Sequence, residues 1–143
     1  MTVKIFRAVW FISLLLVTAS LLYGYASLPE YVTVQEHGTD ILQITKDTFF
    51  YIVLGMLSVI NVLVFLIAKI AIKNDAFRTW FYGLVITFNI FFIVAISFIS
   101  LYNSGENYDY KRLEAIIYTS IGLFSFWTVG WPVYIGYRRL VGK

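Results

Sequence analysis

Cysteine is absent from the 143 residues. Its absence excludes disulfides, thiolate nucleophiles, iron–sulfur and Cys-type zinc sites, and a lipobox anchor, and it leaves the redox compartment open. Charge is scarce as well: 13% of the residues are charged, against about 25% in ordinary soluble domains. Every Asp and Glu falls between the apolar runs or at their ends. No run therefore holds a carboxylate able to bind a coupling ion or relay a proton, which argues against a secondary transporter. The single histidine, His37, has Glu36 and Asp40 beside it but no second His or Cys to complete a metal site, so it reads as a solvated loop residue. There is no Ser-His-Asp order, HExxH, Walker loop or GxGxxG motif. These absences predict a protein that is not an enzyme and needs no cofactor.

What the chain has in abundance is apolar side chain: 60% of residues are hydrophobic, 20% are aromatic, and the mean hydropathy is +0.80. Polar residues are segregated into short stretches, a pattern that suits burial in lipid better than one greasy core. Four segments, 6–25, 49–70, 80–102 and 115–137, reach the roughly 20 apolar residues that a membrane helix needs. Backbone groups in hydrocarbon must be satisfied within their own segment, and the runs lack a period of two, so helices are expected rather than a barrel. The predicted fold class is all-α, a polytopic membrane protein whose four transmembrane helices form one bundle and a single domain over 1–143. Lys4 and Arg7 before an apolar run ending in Gly24-Tyr25-Ala26 also suit a signal peptide. The run exceeds the usual h-region of about 7–15 residues and carries bulky Tyr23 and Tyr25 near the cut, so a retained helix is expected.

Lys and Arg near helix ends stay on the cytoplasmic side. Lys4 and Arg7, then Lys69, Lys73 and Arg78, then Arg138, Arg139 and Lys143 all demand the same side. Both termini are accordingly predicted to be cytoplasmic, with Asp40 and Asn107 outside and Asn74 and Gly142 inside. The basic residues sit at the ends of apolar runs and form no stripe, so the net charge of +3 reads as a topology signal and not as a nucleic-acid surface. Tryptophan and tyrosine favour the headgroup level. On that rule Trp10, Trp80, Tyr82, Trp131, Tyr134 and Tyr137 mark the inner interface, and Tyr23, Tyr25, Tyr51, Tyr102 and Tyr118 the outer one.

Asn61 and Asn89 are the most informative polar residues inside the spans. Both lie fourteen positions from Asp75, so a turn there puts them at equal depth on antiparallel helices, where their amides can meet. The reading is packing glue, with Ser58 as a further intramembrane polar contact; a pore or small-solute carrier lined by Asn61, Asn89, Ser58 and Ser125 is the transport alternative. Small residues at helical spacing, Ser20 with Gly24, Gly83 with Thr87, and Gly55 near Ser58, offer packing surfaces. Gly130-Trp131-Pro132 is expected to kink the fourth helix.

The longest polar stretch, 27–48, exceeds the 2 to 8 or so residues that join neighbouring helices. Tyr31 to Gln35 is β-prone, His37-Gly38 suits a turn, and Ile41, Leu42 and Ile44 are apolar again. Tyr31, Val34, Ile41, Leu42 and Ile44 are the candidate interaction residues of this outer loop, with Glu30, Glu36, Asp40 and Asp47 forming an acidic rim. Leu28-Pro29-Glu30-Tyr31-Val32-Thr33-Val34-Gln35, then Gly38, Asp40 and Lys46, resembles the first outer loop of the SdpI-type bacterial membrane proteins. Thr33 and Gln35 stand where that family usually has Pro and His. The resemblance implies a multi-helix bacterial inner-membrane protein, with toxin immunity and associated signalling for some members. It carries over no functional residue. By exclusion, the expected function is that of a non-enzymatic accessory or scaffold subunit of the inner membrane, partnered by lipid and by another membrane protein or further copies of itself.

Overall fold

The computed structural model describes residues 1–106 and 109–142, with the backbone alone at Tyr110; Asn107 and Lys143 lie outside the described residues. Helix α1 (Thr2–Ser27) leads into a hairpin of strands β1 (Tyr31–His37) and β2 (Asp40–Thr45), followed by helices α2 (Lys46–Ile70), α3 (Asp75–Tyr102) and α4 (Tyr110–Val141). All four helices are long and apolar enough to cross a membrane. This is an all-α integral membrane protein with one small extramembrane hairpin.

Each helix outruns its predicted span, because hydropathy registers the lipid-facing part and not the capped ends. The Thr45 hydroxyl accepts the Thr48 N–H and starts α2, so Lys46 to Thr48 belong to that helix and not to the outer loop. The Asn74 carboxamide accepts the N–H groups of Ala76 and Phe77 and starts α3. The Asp109 carboxylate does the same for α4 through Lys111. Side-chain oxygens at this position satisfy the orphan donors of a first turn. Helix α4 runs on through Pro132 to Val141.

Trp10 meets Tyr82, Ser13 meets Asn89 and Ser27 meets Ser100, so α1 and α3 run parallel. Helices α2 and α4 run antiparallel to α3, which puts both ends of the chain and the α2–α3 turn at one end of the bundle. Each of the first three helices buries one stripe. In α1 it is Trp10, Ser13, Val17, Leu21 and Gly24; in α2 it is Phe49, Val53, Leu57, Asn61, Val64 and Ala68. The other faces carry exposed Leu, Ile, Val and Phe, a surface that needs lipid as its solvent.

Two aromatic assignments change. Trp10 and Tyr82 are buried among Val64, Ala68 and Val85 and so turn into the bundle instead of toward lipid headgroups, because both fall on buried stripes. Tyr23, Tyr51 and Tyr118 do face outward. Helix α4 packs chiefly on α3, through a stripe that includes Phe124, Trp127 and Trp131. The Trp80 indole donates to the Trp127 carbonyl at 2.8 Å and the Trp127 indole donates to the Trp80 carbonyl at 2.9 Å. Gly83 makes room for this exchange: a Cβ there would overlap the Trp127 ring, whereas one at Gly55 would meet nothing within 4 Å. Gly55 and Ser58 therefore form no packing surface within the bundle.

Gly83→Val should force Trp127 off α3 and cost about 1–3 kcal/mol or more, while Gly55→Val should be close to neutral. Thermal unfolding of the two variants in the same detergent, read against the wild type, checks the difference; equal melting would show that the α3–α4 contact does not depend on Gly83.

Candidate functional site

Two places bring together side chains that the apolar pattern alone does not explain. The first is a polar layer in the middle of the bundle. Below it, toward the termini, lies the cluster around Trp10, Val64 and Val85. Above it lies a larger cluster including Val17, Leu21, Leu57, Phe92 and Ile96. Between them the carboxamides of Asn61 and Asn89 face each other and exchange two hydrogen bonds, each amide nitrogen donating to the other oxygen at 3.1 Å. Helix α1 closes the layer. The Trp10 indole donates to Asn61 Oδ1 at 3.0 Å. Asn89 Nδ2 also donates to Ser13 Oγ at 3.0 Å, and the Ser13 hydroxyl in turn donates to the Trp10 carbonyl at 2.7 Å. Asn61 Nδ2 reaches the Leu57 carbonyl at 2.9 Å.

Both amide nitrogens thus spend both of their protons inside the bundle, and Asn61 Oδ1 accepts twice. A pair so occupied offers a solute almost nothing, and the Ser13 hydroxyl beside it is committed to the Trp10 carbonyl. The arrangement is a clamp on three helices, with interhelical bonds in membranes measured at roughly 0.6 kcal/mol on average and up to about 1.7. Ser58 is not part of it. It lies on the exposed face of α2, and Ser125 on the exposed face of α4; Ser58 sits one position past the buried Leu57, which turns it about 100° away from the stripe. The four residues of a pore lining are not brought together in one copy.

The second place is the hairpin at the end of the bundle opposite the termini. Its turn uses Gly38 at φ 61° with no positive φ at Thr39, the sign pattern of a type II′ turn. Val32 and Ile44 are cross-strand partners. Val32 is fully buried with Leu28 and Phe49, and Ile44 packs against them, so the base of the hairpin caps the bundle. The Asn103 carboxamide at the end of α3 holds β1 like a short extra strand, accepting the Thr33 N–H at 2.8 Å and donating to the Thr33 carbonyl at 3.2 Å. The Tyr102 hydroxyl donates to Glu36, and the Tyr25 hydroxyl to Asp47 at 2.6 Å. The Lys46 N–H closes the base on the Glu30 carbonyl at 2.9 Å.

Further out, the candidate residues separate from Ile44. Ile41 and Leu42 are 55% and 54% exposed and Val34 is exposed as well; Tyr31, at the base opposite Thr45, is exposed on the other face. Val34 is the extra residue of a bulge, since Thr33 pairs with Gln43 and Gln35 with Leu42. His37 lies exposed near the turn, and no group of three or more metal-ligating side chains occurs among the described residues. The sequence reading missed Trp10, Ser13, Trp127 and Asn103. Ser13 and Trp10 share a face three residues apart, a usable signal; Asn103 clasps a backbone 70 positions away and offered none.

The fold and these two sites define the class: a four-span integral membrane protein with a pinned core and a clamped extramembrane hairpin. No family model, no curated protein and no solved structure matches the chain.

Asn61→Leu and Asn89→Leu should each cost at most about 1–2 kcal/mol, and the double replacement should cost at least about 0.5 kcal/mol less than the two singles together. Trp10→Phe should weaken the same unit. Strict additivity in detergent unfolding would show that the amides do not act as a pair.

Proposed function

We propose that the protein is a non-enzymatic accessory or scaffold subunit of a bacterial inner membrane, with both termini cytoplasmic, that recruits another membrane protein through its outer hairpin. The observation behind this reading is the contrast within the hairpin. Its base is held by Val32, Ile44 and Asn103, while Val34, Ile41 and Leu42 toward the tip, and Tyr31 on the opposite face of the base, are exposed. Apolar side chains on a rigid support outside the spans suit a recognition surface. The sheet has two strands, so among the described residues β2 has an open edge to which a partner strand can add. Asp40, the first residue of β2, favours a partner with basic residues. The segment is also the one that resembles the SdpI-type loop, which keeps toxin immunity as a second reading; sensitisation of a deletion strain to a secreted toxin would support that role.

The topology has a direct test, because single cysteines can be placed in a chain that has none. An impermeant thiol reagent applied to whole cells should label a cysteine at Asp40 and spare cysteines at Asn74 and Gly142. Labelling at Asn74 from outside would overturn the orientation.

The hairpin separates capping from recognition. Ile41→Ser with Leu42→Ser should release a co-purifying membrane protein by at least about tenfold in a pull-down, a loss of about 1.4 kcal/mol, while the melting temperature stays unchanged. Ile44→Ser should lower the melting temperature. Retention of the same partners by the tip variant would remove the hairpin from the recognition surface.

A further inference from the structure

At the end of the bundle that holds the termini, a pocket of about 210 Å³ opens between α1, α2 and α3. Three cations line it, one from each helix: Arg7, Lys69 and Arg78, over a floor that includes Phe65, Ala68 and Tyr82. Ala68 and Tyr82 are buried. Like charges converging on one small pocket repel one another unless an anion joins them, and the repulsion grows as the surroundings lose water.

The partners present inside the chain fall short of what these cations require. Arg78 donates through one terminal nitrogen to Asp75 at 3.3 Å and through the other to the Ile72 carbonyl. Its Nε is buried and has no hydrogen-bond partner. Lys69 lies over the Phe65 ring at 5.7 Å, and the salt bridges found among the described residues involve neither Lys69 nor Arg7. Asp75, whose side chain is 77% exposed, offsets one of the three charges. The general preference for basic residues on one side of the membrane explains their presence at helix ends. It does not explain why three helices aim them at one pocket while Lys73, Arg138 and Arg139 lie elsewhere.

We propose that this pocket binds the phosphate of an anionic phospholipid from the leaflet on the side of the termini. Arg7, Lys69 and Arg78 bind the headgroup, and its acyl chains run along the adjoining face of α2, where Leu66, Ile67 and Ile70 are exposed. The lipid is favoured over a soluble anion because the three cations stand near the ends of their helices, Arg7 in the second turn of α1, Arg78 in the first turn of α3 and Lys69 in the last turn of α2. That is the level at which headgroups meet the ends of spans, and basic pockets between helices at this level suit anionic headgroups. The inference does not depend on the hairpin or its partner.

The test is native mass spectrometry of delipidated full-length protein in detergent, titrated with dioleoylphosphatidylglycerol and, separately, with dioleoylphosphatidylcholine. The wild type should retain phosphatidylglycerol preferentially. Arg7→Gln and Lys69→Gln should each weaken that retention about fivefold and leave phosphatidylcholine unchanged. Arg78→Gln also loses the contact that holds Ile72, so the two other variants carry the test. Arg138→Gln with Arg139→Gln removes more charge from the same end outside the pocket, and should change little. Equal retention of the two lipids, or a loss in this control as large as in the pocket variants, overturns the proposal. Displacement of phosphatidylglycerol by millimolar inorganic phosphate would assign the pocket to a soluble anion and likewise overturn it.

Discussion

The interaction on which the bundle depends is the exchange of hydrogen bonds between Asn61 and Asn89. Lipid tails are as apolar as leucine, so burial alone gives membrane helices little reason to choose one rotation over another. An amide left unsatisfied in hydrocarbon costs several kcal/mol. Two directional bonds between carboxamides at matched depth therefore select one rotation of α2 against α3, and Trp10 and Ser13 extend the choice to α1. Once these rotations are set, Gly24 faces Ile96 at close range, and the helix ends opposite the termini form the floor on which Val32 of the hairpin rests.

Helix α4 stands outside that arrangement. Its hydropathy is the lowest of the four spans and its share of buried residues the smallest. In place of a polar layer it has the indole exchange between Trp80 and Trp127, seated over Gly83, with stacked and tilted rings of Phe77 and Trp131 extending the contact toward the termini. The architecture is thus three helices pinned through their centre and a fourth laid chiefly against one of them. Two physical devices hold it: satisfied amides where three helices meet, and a large ring in the space left by a missing side chain where two do.

The spans and the matched depth of Asn61 and Asn89 were legible in the sequence because both follow from counting along a helix of known rise. Facing was harder to read. In a soluble helix the polar face marks the outside, but in lipid both faces are apolar, so the signal that separates buried from exposed is nearly lost. Trp10 and Tyr82 near helix ends looked like interface anchors for that reason, and only their position on buried stripes places them inside. Ser58 failed by one residue of phase. The strands of the hairpin were foreshadowed by Tyr31 to Gln35 and by Gly38, whereas the clasp of Asn103 on Thr33 joins a helix end to a distant backbone and leaves no local pattern.

The hairpin's geometry bears on why its tip is apolar. Capping a bundle requires one apolar face, and the Val32–Ile44 pair supplies it. Strict alternation would carry that face outward through Val34 and Leu42, but the bulge takes Val34 out of register and seats Gln35 opposite Leu42. Ile41, paired with Glu36, belongs to the opposite face with Tyr31 and Thr45. Apolar groups consequently occur on both faces of the exposed end, which capping cannot use, since one sheet cannot rest both faces on the same bundle. A two-stranded hairpin is marginal by itself in water, and this one is held from beneath by Val32 and at the side by Asn103. Clamping of that kind removes much of the ordering entropy that a flexible loop would lose on binding. The clamps at Val32 and Asn103 would in that way lower the ordering cost of the proposed contact at Ile41 and Leu42.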